Sequence, residues 1–195
     1  MKLKISILLC CLLPGISVLA QHMPDYRLHQ VRITDTGKTI RAEVLPFNGR
    51  PSARPELLYY WYDANTIHSL QGGYSGQLLN GAYEEYYPNK NVKTQGNFNK
   101  GLKDGIWKSW NDRGMLTELI TWNNGVRSGA FTRYNSEGIP VESGKYRNDL
   151  LNGNVSFYQG RDSVKVVHYQ DGKQVAPKPS LLQKINIFHR KKAKA

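Results

Sequence analysis

The sequence predicts an all-β fold: an elongated single-layer antiparallel sheet of tandem 24-residue hairpins, followed by a short C-terminal helix. Three observations carry this reading. Gly81, Gly105, Gly129 and Gly153 recur at intervals of 24 residues. Tyr83, Trp107, Phe131 and Val155 stand two residues after these glycines, and Tyr86, Trp110, Tyr134 and Tyr158 stand five after. Clusters of Asn, Asp, Gly and Pro punctuate the apolar stretches, and glycines with β-branched or aromatic residues interrupt every candidate helical window in the repeats. A period of this length marks a repeat architecture, in which each unit buries its surface against its neighbours.

The first element is a leader. Lys2 and Lys4 precede an apolar run from Ile5 to Leu13, and Val18-Leu19-Ala20 follows before Gln21. This pattern predicts a secretory signal peptide over residues 1–20, cleaved after Ala20. An uncleaved anchor and lipoprotein processing at Cys10 or Cys11 are the alternatives. The apolar run is shorter than the roughly 20 residues of a spanning helix, so no transmembrane helix is expected after cleavage. Both cysteines of the chain lie inside the leader, which leaves the mature chain without disulfide or thiol chemistry. Export without disulfides suits a bacterial envelope, whether periplasmic or extracellular.

Residues 21–56 are expected to hold an N-terminal capping hairpin and a loop. Val31 and Ile33 alternate with polar residues, Asp35-Thr36-Gly37 turns, and Ile40, Ala42 and Val44 alternate back. The hairpin is read as a cover for the exposed edge of the array, with a separate binding element as the alternative. FNGRPSARPE, residues 47–56, is a loop by its glycine and prolines.

Five units are expected over residues 57–175. Extended backwards, the register calls for aromatics at 59, 62 and 74 and a small residue at 72, and the chain supplies Tyr59, Tyr62, Tyr74 and Gly72. Each unit reads as a hairpin: a first strand such as GAYEEYY or GIWKSW, a turn such as Asn111-Asp112-Arg113-Gly114, and a second strand such as VKTQGNF or LTELITW. A second turn, such as Asn123-Asn124-Gly125, returns the chain. Phe98, Trp122, Tyr146 and Tyr169 repeat on the second strands. A single-layer sheet depends on cross-strand pairs, so a ladder of rings is expected along it. Gly96 and Gly144 lie two residues before an aromatic and are expected to make room for a neighbouring ring. The offsets of two and five differ in parity. Either both faces carry rings or each first strand carries a bulge.

The motifs GAYEEYYPNK, GNFNKGLKDG, GIWKSWNDRG, TWNNGVRSG, GAFTRYNSEG and GKYRNDLLNG resemble MORN-type repeats, in the bacterial variant found in exported proteins and in YwqK-type antitoxins. The resemblance covers residues 57 to about 175. It implies an elongated antiparallel sheet used for protein or membrane contacts.

At the C-terminus, residues 176–195 read as a proline linker and a basic amphipathic tail. Ser180-Leu181-Leu182-Gln183 fits a capping box. Leu181, Leu182, Ile185 and Phe188 make an apolar stripe at helical spacing, flanked by Lys184, Arg190, Lys191 and Lys192. A helix packed on the end of the sheet and an interfacial helix on anionic membrane are the two readings.

The formal charge is +12, or +10 without Lys2 and Lys4. Such a balance favours an acidic envelope protein or an anionic lipid or glycan surface as partner, and export argues against nucleic acid. Catalytic chemistry finds no footing. Glu84 and Glu85 are adjacent strand residues and point to opposite faces. The histidines have no ligand spacing, and Gly72-Gly73-x-x-Gly76 precedes no helix, so no metal or cofactor is assigned. The exposed minority left for binding is Tyr87, Arg113, Arg127, Arg133, Arg147 and Arg161, with the ladder ends. The expectation is an exported, non-enzymatic repeat scaffold making protein or membrane-surface contacts in a bacterial envelope. The alternatives are an antitoxin-like binding protein and an envelope glycan-acting enzyme.

Overall fold

A computed structural model describes residues 29–35, 37–46, 51–160 and 163–176. The expected leader, Arg161 and the tail with Leu181, Leu182, Lys184, Ile185, Phe188, Arg190, Lys191 and Lys192 lie outside the described residues. The strands are β1 (His29–Asp35), β2 (Lys38–Val44), β3 (Leu58–Asp63), β4 (Thr66–Gln71), β5 (Gln77–Tyr86), β6 (Val92–Asn99) and β7 (Leu102–Trp110). They continue as β8 (Leu116–Asn123), β9 (Val126–Tyr134), β10 (Pro140–Arg147), β11 (Leu150–Leu151), β12 (Gly153–Tyr158), β13 (Val164–Gln170) and β14 (Lys173–Gln174). They form one open antiparallel sheet, ordered β1-β2-β5-β6-β7-β8-β9-β10-β12-β13-β14, as the repeat pattern predicts. No described helix is long and apolar enough to cross a membrane.

The leading glycines have two roles. Each stands directly opposite a ring of its own hairpin: Gly81 faces Phe98, Gly105 faces Trp122, Gly129 faces Tyr146 and Gly153 faces Tyr169. Each also sits where the ladder to the preceding strand skips. Between Gln95↔Lys108 and Asn97↔Asp104, two steps on β6 oppose four on β7, and the same skip recurs at Gly81 and Gly129. The chain makes these bulges with left-handed backbone, from φ +69° at Gly105 to +125° at Gly129, which only glycine adopts without Cβ strain. Because two residues are inserted, the in-and-out alternation is kept.

Both faces therefore carry rings. Tyr83, Phe98, Trp107 and Phe131 are buried on one face, and Tyr86, Trp110, Tyr134 and Tyr158 stand half-buried on the other. On the ring face Phe98 lies 4.9 Å from Trp107 and 5.4 Å from Tyr83, centroid to centroid, both edge-on. Phe131 and Tyr146 make a second cluster at 4.7 Å. The ladder is interrupted between them, where Ile120 packs opposite Trp107 and Phe131. Gly96 provides the expected room: a Cβ there would sit 2.3 Å from the Trp107 ring.

The second turns are two-residue loops with positive φ at both positions, as at Lys100-Gly101 and Asn124-Gly125, the mirror-image turns that match strand twist. Their amides also staple the units. The N–H groups of Gly101, Gly125, Asp149 and Gly172 donate to the carbonyls of Leu79, Lys103, Arg127 and Leu151 in the preceding unit, at 2.7–2.9 Å.

The unit expected from Leu57 forms its hairpin outside this series. Ala64 and Asn65 turn the chain tightly, and the backbone of β3 joins the sheet through Trp61↔Leu78, Tyr62↔Gln77 and the Gly101 turn. β2 occupies the neighbouring place along β5, through Ala42↔Tyr83 and Thr39↔Tyr86. The displaced hairpin packs Tyr60, Tyr62 and Ile67 onto the cluster of Ile33, Ile40, Ala42 and Tyr83. Apolar area removed from water there offsets the missing ladder bonds.

Candidate binding site

Most residues singled out from the sequence for binding are engaged inside the sheet. The Tyr87 hydroxyl donates to the Trp110 carbonyl at 2.9 Å, tying the first turn of one unit to the next. Arg113 is exposed, and its guanidinium reaches the Ser136 carbonyl at 3.3 Å. Arg127 pairs with Asp149 at 2.8 Å and stacks on Tyr146, with Cζ 4.5 Å from the ring centroid. Arg147 pairs with Asp171 at 2.5 Å. Arg133 bridges Glu118 at 3.1 Å and Glu142 at 2.6 Å, and donates to the Tyr146 hydroxyl. Burial works against the Arg133 charge, but hydrogen bonds to Glu142, Tyr146 and Glu118 outweigh it and hold its pKa above the usual guanidinium value. These arginines do not form a common free basic face. Arg113, Arg127 and Arg147 reach an acid or carbonyl about one unit away, and Arg133 finds its acids on the two strands beside it.

The ring face also encloses a cation. Lys103 Nζ lies 4.3 Å from the Trp107 ring centroid, 5.1 Å from Trp122 and 5.7 Å from Tyr60. Burial lowers its pKa, with the Glu118 and Glu85 carboxylates opposing. Burial likewise raises the Tyr83 phenol well above its usual range, aided by the neighbouring Glu85 charge. Glu84 and Glu85 point to opposite faces: Glu85 accepts from Tyr83 on the ring face, and Glu84 from Tyr86 on the other.

A cluster of cations that make no ion pair among the described residues gathers instead at the β1 end, on the face opposite the buried rings. Strand register sets Arg32 directly opposite Arg41, which has Glu84 opposite it on β5, and Thr34 opposite Thr39, which in turn faces Tyr86. Arg32, Arg41, Lys38 and Lys90 line one groove of about 480 Å³, whose lining among the described residues contains one carboxylate, Asp35. Tyr86, Tyr87 and Pro88 form its apolar wall, and Arg41 Cζ stands 5.4 Å over the Tyr86 ring. A second hollow adjoins the arginines on the side of Glu43 and Glu84. Those carboxylates accept from neutral donors and make no ion pair to the arginines: Glu43 accepts from the Ala82 amide at 2.8 Å, and Glu84 from Gln95 and Tyr86.

Reading the hairpin for its apolar alternation alone missed this site. The signal was present in the turn, because Asp35 faces Lys38 across it, and counting outward from that pair brings Arg32 and Arg41 together. Comparison with protein-family models, with curated proteins and with solved structures gave no match to this chain.

Proposed function

We propose that this chain is an exported, non-enzymatic repeat scaffold of the MORN type that makes protein or anionic-surface contacts in a bacterial envelope. The sheet positions a binding end and does no chemistry of its own. The carrying observation is the contrast in charge pairing. Within the units Arg127, Arg133 and Arg147 are ion-paired with acids, whereas Arg32, Arg41, Lys38 and Lys90 line one groove and make no ion pair among the described residues. Clustered cations flanked by half-buried tyrosines suit recognition of an anionic partner.

The test combines location and capture. Fractionation with sequencing of the mature N-terminus should find the chain processed after Ala20 and outside the cytoplasm. Pull-down from envelope extracts should return a reproducible partner that is lost in Lys38→Glu/Lys90→Glu, a pair chosen because neither lysine makes an ion pair among the described residues. A cytoplasmic, unprocessed chain, or the same partner recovered by the double variant, overturns the reading.

A further inference from the structure

We infer that the groove at the β1 end is a site for a phosphorylated sugar, with Arg32 and Arg41 clamping the phosphate monoester and the tyrosine wall taking the ring. The inference rests on the binding reading above and adds the ligand class. It begins from the cost of the Arg32–Arg41 pair. Like charges directly opposite in an antiparallel ladder destabilise it. No other like-charged pair stands directly opposite among the described residues: Arg133 is set opposite Glu118 and Glu142, and Arg41 has Glu84 on its other side. In the β1–β2 hairpin two exposed guanidinium groups face one another with no ion pair to either among the described residues.

The cations of the lining suit a phosphate monoester. Among the described residues the groove holds Arg32, Arg41, Lys38 and Lys90 with Asp35, and Glu43 and Glu84 stand on the adjoining side of the arginines. A phosphate monoester carries about −1.5 to −2 at neutral pH and presents three acceptor oxygens. Guanidinium forks bind such groups in a bidentate manner, and two opposed forks serve two edges of one phosphate. Arg41 is held in place by its stacking on Tyr86, which lowers the ordering cost of binding. Lys38 and Lys90 add point charge.

The remaining lining suits a sugar better than a bare anion. Thr34 and Thr39 supply hydroxyls beside the arginines, while Tyr86, Tyr87 and Pro88 supply apolar surface. Tyr87 and Tyr86 are both fixed by hydrogen bonds, to the Trp110 carbonyl and to Glu84. The volume of about 480 Å³ lies in the range of small-molecule sites.

Calorimetric titration of the full chain with glucose 1-phosphate tests this. Saturable binding is expected, weakened about tenfold or more by Arg32→Gln or Arg41→Gln and unchanged by Arg113→Gln. Arg32→Gln should melt no lower than the parent, because it relieves like-charge repulsion and leaves the Arg41–Tyr86 stacking in place; loss of binding together with lowered melting in that variant would assign the arginine a structural role and overturn the proposal. Binding should weaken from pH 7.5 to 5, as the phosphate dianion takes up a proton near pH 6 and becomes a monoanion. Glucuronate binding as tight as glucose 1-phosphate would show that the groove reads charge alone. Inorganic phosphate binding equally well would remove the sugar. Binding to vesicles containing phosphatidic acid, with none to glucose 1-phosphate, would assign a lipid surface. Each of these three results overturns the proposal. If glucose 1-phosphate fails while the envelope partner is still captured through Lys38 and Lys90, the ligand class is wrong and the binding reading stands; loss of both ends both.

Discussion

Adding one methyl group at Gly96 tests how the ring face is held. An alanine Cβ at this position would lie 2.3, 2.4 and 2.7 Å from three carbons of the Trp107 indole. These distances are well inside van der Waals contact, so the ring or a strand must move. The indole has little freedom: it is 5% exposed, its Nε1 donates to the Asn97 carbonyl at 3.1 Å, and Phe98 and Tyr83 abut it at 4.9 and 5.7 Å. Overpacking of a fixed ring costs about 1–3 kcal/mol, and the shortness of these contacts puts Gly96→Ala near about 3. At about 2–4 °C per kcal/mol for a chain of this size, melting should fall by about 6–12 °C. Gly144→Ala meets Phe131 and Val155 at 2.9 Å and should cost less. Denaturant melts of Gly96→Ala, Trp107→Leu and the double variant give the coupling directly. In the Trp107→Leu background the alanine should cost under about 1 kcal/mol, because the clash is gone. Additive losses, or a Gly96→Ala cost below about 0.5 kcal/mol, would refute the reasoning.

Three further expectations follow from the same contacts. Tyr83 has a folded pKa above its unfolded value of 10.0, so its contribution is complete below pH 10 and is lost as pH rises beyond it; Tyr83→Phe should flatten the alkaline loss in urea melts taken between pH 9 and 11.5. Arg133→Met leaves Glu118 and Glu142 facing one another without their bridge; with the side chain 34% exposed, screening holds the cost to about 1–2 kcal/mol by denaturant melt, against little change for Arg113→Met. Asn135→Ala removes the oxygen that accepts from the Glu137 and Ile139 amides, both at 3.0 Å, and should cost about 1 kcal/mol with faster amide exchange at those two residues.

The legible part of the fold was the part governed by neighbours within one unit. The 24-residue period, the hairpins, the turn chemistry and the room at Gly96 and Gly144 are local consequences of residue type at fixed spacing. Parity could be narrowed to two options but not decided, because the two-residue bulge at each leading glycine shows only in the pairing with the preceding strand. The sideways placement of the Leu57 hairpin was not legible either. Its aromatics keep the repeat register, yet β2 holds most of the edge of β5, which leaves β3 only Leu78 and Gln77 to pair with there. The arginines misled for a related reason. Arg127 and Asp149 are 22 residues apart, and nothing in a linear reading says that a turn carries the acid back over the arginine.

The amide staples between units imply a direction of assembly. In each, the accepting carbonyl precedes the donating turn by about one unit, so a chain feeding from its N-terminal side always finds its acceptor already made. Growth then resembles a zipper with short closures, the kind of contact map that folds quickly. The N-terminal end breaks the sequence of events. Residues of β2 must wait for β5, with closures such as Ala42↔Tyr83 spanning the β3–β4 excursion. The hairpin that carries the arginine pair is therefore expected to dock late, onto a ladder that has begun to form without it.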